Sequence, residues 1–219
     1  MMGANKMKNA SLVAQLRQAS LDNQVLRHVD VTGVDFAGIN LTSLIVENLI
    51  AHKAQFESSL LTDTEFIEAD FSEANLDNAN MENAVVGLSS FNRASMRRVN
   101  LRNAVFTIGY CQEADLKGAD LTGAKLSGSM FFDSYLDQTV LRQVKADDAG
   151  FNRASMVQAD LSDGIFTRAT FNKANLSHAN LSGGDFSEAD FREATLEGVN
   201  WEGAKIQNAL FDPGAAPEQ

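Results

Sequence analysis

The chain has 219 residues, with 29 acidic against 18 basic side chains and a formal net charge of -11. That balance argues against direct nucleic-acid binding, because a protein that neutralises phosphates needs a surplus of Lys and Arg. The one cysteine, Cys111, leaves no internal disulfide framework and no Cys-based zinc cluster, and it fits a reducing cytoplasm. No apolar run approaches the ~20 residues of a membrane span, and the first residues lack an apolar stretch of signal-peptide length. The expectation is therefore a soluble, cytoplasmic protein.

In chain order, an N-terminal segment (1–20) comes first. Its part NASLVAQLRQAS (9–20) predicts a short helix, with Ser11 as N-cap and Leu12, Leu16 and Ala19 on one face. From Leu16 onward a five-residue pattern sets in and does not slip before Phe211. In EADFSEANLDNANMENAVV (68–86), Phe71, Leu76, Met81 and Val86 recur every five, with Ala69, Ala74, Ala79 and Ala84 two residues ahead of each. Of 40 such centres, 37 carry Leu, Phe, Met, Val, Ile or Trp, and the exceptions are Ala51, Cys111 and Ala146. Thirteen of the 14 Phe lie on this register, Phe132 alone standing off it, so the pattern is not an accident of composition. A period of five is neither the 3.6 of a helix nor the 2 of a strand; it is a short extended piece plus a corner, wound into a coil.

Units such as ADLTG (119–123), ANLSG (179–183) and ADFRE (189–193) resemble the A-(D/N)-L-x-x repeat of the pentapeptide-repeat family. The resemblance covers about nine tenths of the chain. It implies an all-β solenoid, a right-handed quadrilateral β-helix with four units per coil, here spanning residues 21–211. Column composition supports the count of four. Centres 20 apart from Leu21 through Leu41, Leu61, Met81 and Leu101 to Trp201 are nearly all Leu, and the opposite column from Phe71 to Phe211 is mostly Phe, broken by Cys111. Large Phe facing Leu fills a core of constant width. About ten coils result, and at ~4.8 Å per coil the rod is roughly 45 Å long.

Residues 41–55 put Leu44 and Leu49 where small residues belong and Ala51 at a centre, which predicts a distorted coil or a short helical excursion. Residues 56–92 carry eight acids and no base, yet acids are shared among all faces with a mild excess beside the Leu column. Asn80, Asn100, Asn180 and Asn200 stack on that face, where amide ladders are expected to bond along the stack. The coil stops at Pro213, so 212–219 is expected to be a flexible tail, and the last coil is a candidate dimer contact.

Chemistry has little to stand on. His28, His52 and His178 lie in different coils, Cys111 occupies a core centre, and Gly183-Gly184 belongs to a turn rather than a phosphate loop. No catalytic residue, metal or cofactor is expected. What stands out is an outward apolar group, Val85, Leu88, Val105, Ile108, Tyr110, Met130, Phe132 and Tyr135, with Arg93, Arg97, Arg98 and Arg102 banding a corner beside it. Clustered apolar surface with Tyr, Phe and Met suits a contact site. An irregular coil around Cys111 that turns some of these side chains inward is the alternative. The expected function is a non-catalytic scaffold presenting this surface to another protein, with a homodimer through the patch or the last coil among the partners. The resemblance adds a second expectation, because some pentapeptide-repeat proteins are quinolone-resistance factors that look like duplex DNA and occupy the DNA site of gyrase or topoisomerase IV.

Overall fold

Most five-residue units close on one backbone hydrogen bond. In the unit built on Phe71, the amide of Ala74 donates to the Phe71 carbonyl at 3.0 Å, and Glu73, the third residue of that turn, sits at φ 58°. The same corner recurs every five residues along the computed structural model, which describes the backbone of residues 2–217 and side chains from residue 10 onward. Among the described residues thirty non-glycine residues hold positive φ, and all share the register of Glu73. Successive coils pair in parallel with a 20-residue offset: Phe71 N–H donates to Ser90 O at 2.7 Å, and Ser90 N–H donates back to Ala69 O at 2.9 Å. One such ladder joins residues 25, 45, 65, 85, 105, 125, 145, 165, 185 and 205, ten rungs in register, as the five-residue frame predicts.

The core is the filled interior of this β-solenoid. Phe71, Phe91, Phe131, Phe151 and Phe171 are buried in one wall, and Leu41, Leu61, Leu101, Leu121, Leu141, Leu161 and Leu181 are buried in the wall opposite. Rings stack one coil above another, with Phe71–Phe91 centroids at 4.9 Å and Phe151–Phe171 at 5.1 Å. Cys111 interrupts that stack, and the aromatic column resumes at Phe131.

One of the four faces differs. Its first five rungs are three-residue strands, β1 (Val25–Arg27), β2 (Ile45–Glu47), β3 (Glu65–Ile67), β4 (Val85–Gly87) and β5 (Val105–Thr107), forming a parallel sheet in chain order. β-Branched pairs such as Ile45-Val46 and Val85-Val86 favour the longer extended stretch. The corners that follow stay open, without the closing bond. Instead Ala69 N–H donates to the buried Ser89 hydroxyl at 2.9 Å, and Gly109 N–H to the buried Ser129 hydroxyl at 3.1 Å. From Leu126 onward the corners of this face close normally, beginning with Ser129 N–H to Leu126 O at 2.9 Å.

A helix covers the N-terminal end. α1 runs Met2–Asp22, longer than the expected 9–20, so Ser11 lies inside it and is not its N-cap. Leu16 and Ala19 are buried against the first coil, and Leu12 and Val13 pack beside them. Leu21, read as the first of the Leu column, is instead 71% exposed on the last turn of α1, where helical spacing carries it away from the coil. Residues 41–55 contain no helix, and their irregularity is the open corner after β2 that the other strands of that face share. Leu44 and Leu49 are buried in the small positions while Ala51 fills a large one, so volume is exchanged between neighbouring positions. At the C-terminal end Leu196, Val199, Trp201, Ile206 and Phe211 are only partly buried. Of the expected tail, Asp212–Ala215 form a turn with Ala215 N–H on Asp212 O at 3.0 Å, and residues 218 and 219 lie outside the described residues.

Candidate functional site

The interior is filled by apolar side chains. Among the described residues no group of His, Cys, Asp and Glu is placed to hold a metal ion. Cys111 is fully buried, and loss of solvation pushes its thiol up to about 12, so it stays protonated and unreactive in the folded chain. The outward Asn stack is structural: Asn100 Nδ2 donates to Asn80 Oδ1 at 3.0 Å, and Asn200 Nδ2 to Asn180 Oδ1 at 3.0 Å. The same Oδ1 atoms accept the amide two residues ahead, as Asn80 does from Glu82 at 3.1 Å.

The apolar residues singled out from the sequence do share one surface. Val85 and Val105 point outward from β4 and β5 and are half-buried. Leu88 and Ile108 occupy the next corner, one directly above the other, 50% and 40% exposed. Tyr110 and Met130 are paired rungs of the Phe face. Phe132 lies on the following corner and Tyr135 on the face after that corner, where Lys117 Nζ stands 5.0 Å from the Tyr135 ring centroid. The strip thus crosses the rod diagonally, and none of its members turns into the core near Cys111. Phe132 is the least free of them. Its ring lies over Gly150, where a Cβ would come within 2.1 Å of Cε1, so the bare glycine is the seat of the one Phe outside the frame.

The arginines do not form a band along one corner. Arg93 follows Phe91, Arg97 and Arg98 follow Met96, and Arg102 follows Leu101, which spreads them over three consecutive corners of a single coil. Arg97 pairs with Asp115 at 2.6 Å, Arg102 with Asp120 at 2.9 Å, and Arg98 Nε donates to Asn78 Oδ1 at 2.8 Å. Arg93 stands on the corner column of Phe132, Arg102 on the corner before Val105, and Arg97 on Asp115, the rung beside Tyr135. Five residues of spacing in sequence is a quarter of a turn in space, which is why a run that looks continuous in the chain is divided.

The sequence profile of pentapeptide repeats matches eight copies over residues 52–86, 110–145, 147–183 and 185–211. The chain belongs to the pentapeptide-repeat family. Among solved structures it is similar to full-length QnrB1, a plasmid-mediated fluoroquinolone resistance protein, with a TM-score of 0.64 at 18% identity, covering 84% of this chain and 92% of that one. HetL, a pentapeptide-repeat protein involved in heterocyst differentiation regulation from the cyanobacterium Nostoc sp. strain PCC 7120, matches at 22% identity over 88% of this chain and 92% of its own, with a TM-score of 0.42. No curated protein sequence matches the chain. At these identities the likeness to QnrB1 is one of fold.

Proposed function

We propose that this pentapeptide-repeat protein is a rigid, non-catalytic scaffold of the cytoplasm that holds a protein partner on its outer surface. The observation that carries this reading is the diagonal apolar strip, and within it the Tyr110–Met130 pair with Phe132 and Tyr135, which groups apolar side chains that elsewhere on the exterior, as at Ile50, Leu60 and Ile165, stand apart. A filled interior with a protonated, buried thiol supports a binding role over a catalytic one. Tyr110→Glu and Tyr135→Glu point to solvent and leave the ladder intact, so both variants fold. In affinity capture from the native host they are expected to lose a protein that the wild type retains; identical captured sets would overturn the assignment of this surface.

A second reading is a DNA-mimicking topoisomerase ligand, supported by the net charge of -11 and the fold shared with QnrB1. Much of the negative charge is nevertheless engaged within the chain, as in the Arg153–Asp133 and Arg168–Asp148 pairs at 2.6 and 2.8 Å, which weakens the field it presents. A gyrase supercoiling assay with and without a quinolone decides: neither inhibition nor protection by the protein removes this reading.

A further inference from the structure

Of the 30 non-glycine corner residues at positive φ among the described residues, 28 are polar or charged; the other two are Leu88 (φ 49°) and Ile108 (φ 57°), and they are stacked. A bulky or β-branched residue in the left-handed region is strained, and its exposed side chain recovers nothing from its own core. Beside this ridge Val85 and Val105 stand outward on the strand face. One coil step beyond Val85 on one side and Val105 on the other the charge is free: Glu65 and Lys125 are both exposed, and neither has an ion pair within the described residues.

The pattern is self-complementary about a point midway between β4 and β5. Along the strand face the outward residues run Glu65, Val85, Val105, Lys125. On the preceding corner Glu82 and Arg102 occupy equivalent rungs, and on the following corner Leu88 and Ile108 do.

We propose that this face binds a second copy of the chain, antiparallel, across a two-fold axis that passes between β4 and β5 perpendicular to the rod. Such an axis keeps each column on itself and inverts the order of the rungs. Val85 of one copy then meets Val105 of the other, Leu88 meets Ile108, Glu65 meets Lys125 and Glu82 meets Arg102. Every contact occurs twice. A parallel pair would set Glu65 on Glu65 and Lys125 on Lys125, so the charges select the antiparallel arrangement. The contact is also bounded: one rung further out Glu47 would face Asp147, both acidic, which confines the interface to the coils between Glu65 and Lys125. This inference does not rest on the scaffold reading, because Met130, Phe132 and Tyr135 lie on other faces and stay open in both copies.

Sedimentation equilibrium on the full chain tests it. The wild type is expected to show a concentration-dependent monomer–dimer equilibrium. Glu65→Lys alone and Lys125→Glu alone each place like charges at both symmetric contacts and raise the dimer Kd by about tenfold or more. An equimolar mixture of the two single variants restores association, as a heterodimer in which both reversed positions face opposite charge again. Exposed charge changes leave folding intact, which circular dichroism verifies. A wild type that is monomeric at every accessible concentration, a dimer indifferent to either reversal, or a mixture no tighter than its components overturns the proposal, and each result is independent of whether Tyr110→Glu loses a captured protein.

Discussion

At Ile108 the backbone and the side chain disagree. The corner requires φ near 57°, a conformation that costs a β-branched residue on the order of 1–3 kcal/mol, whereas Asn adopts it readily. Because the side chain is 40% exposed, replacing it removes little packing. Ile108→Asn is therefore expected to raise monomer stability by about 1 kcal/mol in urea unfolding at a concentration too low for association. Lower or unchanged stability would show that the ridge is held by packing within the chain. At this scale the sequence was partly legible. It identified Leu88 and Ile108 as outward and apolar because the five-residue register fixes which side chains leave the core. Their strain was hidden, since a left-handed corner follows from the ladder geometry and not from the identity of the residue. Phe132 was legible as off-register but not as seated on Gly150, a partner 18 residues away that becomes a neighbour only once the coil is wound.

Among the elements, the strand face shows how a missing backbone bond is replaced. With the open corner after β3, the buried Ala69 amide has no carbonyl to meet and uses the Ser89 hydroxyl at 2.9 Å, which itself reaches Gly87 O at 2.9 Å. Ser89→Ala leaves the amide without an acceptor in a dry site and is expected to cost about 1–3 kcal/mol. By contrast, Ser134 donates only to the carbonyl three residues back, which the turn already engages, so Ser134→Ala should cost clearly less in the same denaturation experiment; equal losses would refute the distinction. Corners also carry ion pairs between coils. Arg153 grips both oxygens of Asp133 at 2.6 Å, and Arg168 grips those of Asp148 at 2.8 Å; hydrogen bonding to the guanidinium holds each carboxyl below its ordinary 3.8. A carboxylate depressed on folding contributes stability that is complete above pH 3.8 and is lost as pH falls through its lower folded value. Thermal melts should thus show no loss from these pairs between neutral pH and about pH 5, and a decline below about pH 4 that is shallower in the Arg153→Gln/Arg168→Gln double variant. The sequence foretold the coil and its columns, but not that one face would open its corners. Two of those open corners, after β3 and β5, hand their amides to Ser89 and Ser129 one coil away, partners that only the wound coil brings together.

As a whole the molecule is nearly one-dimensional, each coil resting on its two neighbours, so stability falls toward any end left uncovered. The two ends are unequal. α1 seals the first coil with Leu16 and Ala19, whereas the last coil leaves Trp201, Ile206 and Phe211 partly open beside a cavity of about 500 Å³ that Pro217 also lines. Its amides are also short of partners: among the described residues, the N–H groups of Leu196, Trp201 and Ile206 lack the next-coil carbonyl that Leu176, Leu181 and Phe186 find 19 residues on. Trp201 is the sole tryptophan and sits in that coil, with its ring edge-on to Phe191 at 5.3 Å, so its fluorescence reports the weakest coil while far-ultraviolet circular dichroism reports the whole rod. Under increasing urea the Trp201 signal should change first, at a lower midpoint than the dichroism, and amide exchange should be fastest from 194 to 211 and slowest in the middle coils. Coincident midpoints would mean that the open end is held as firmly as the interior and that the rod unfolds as one unit.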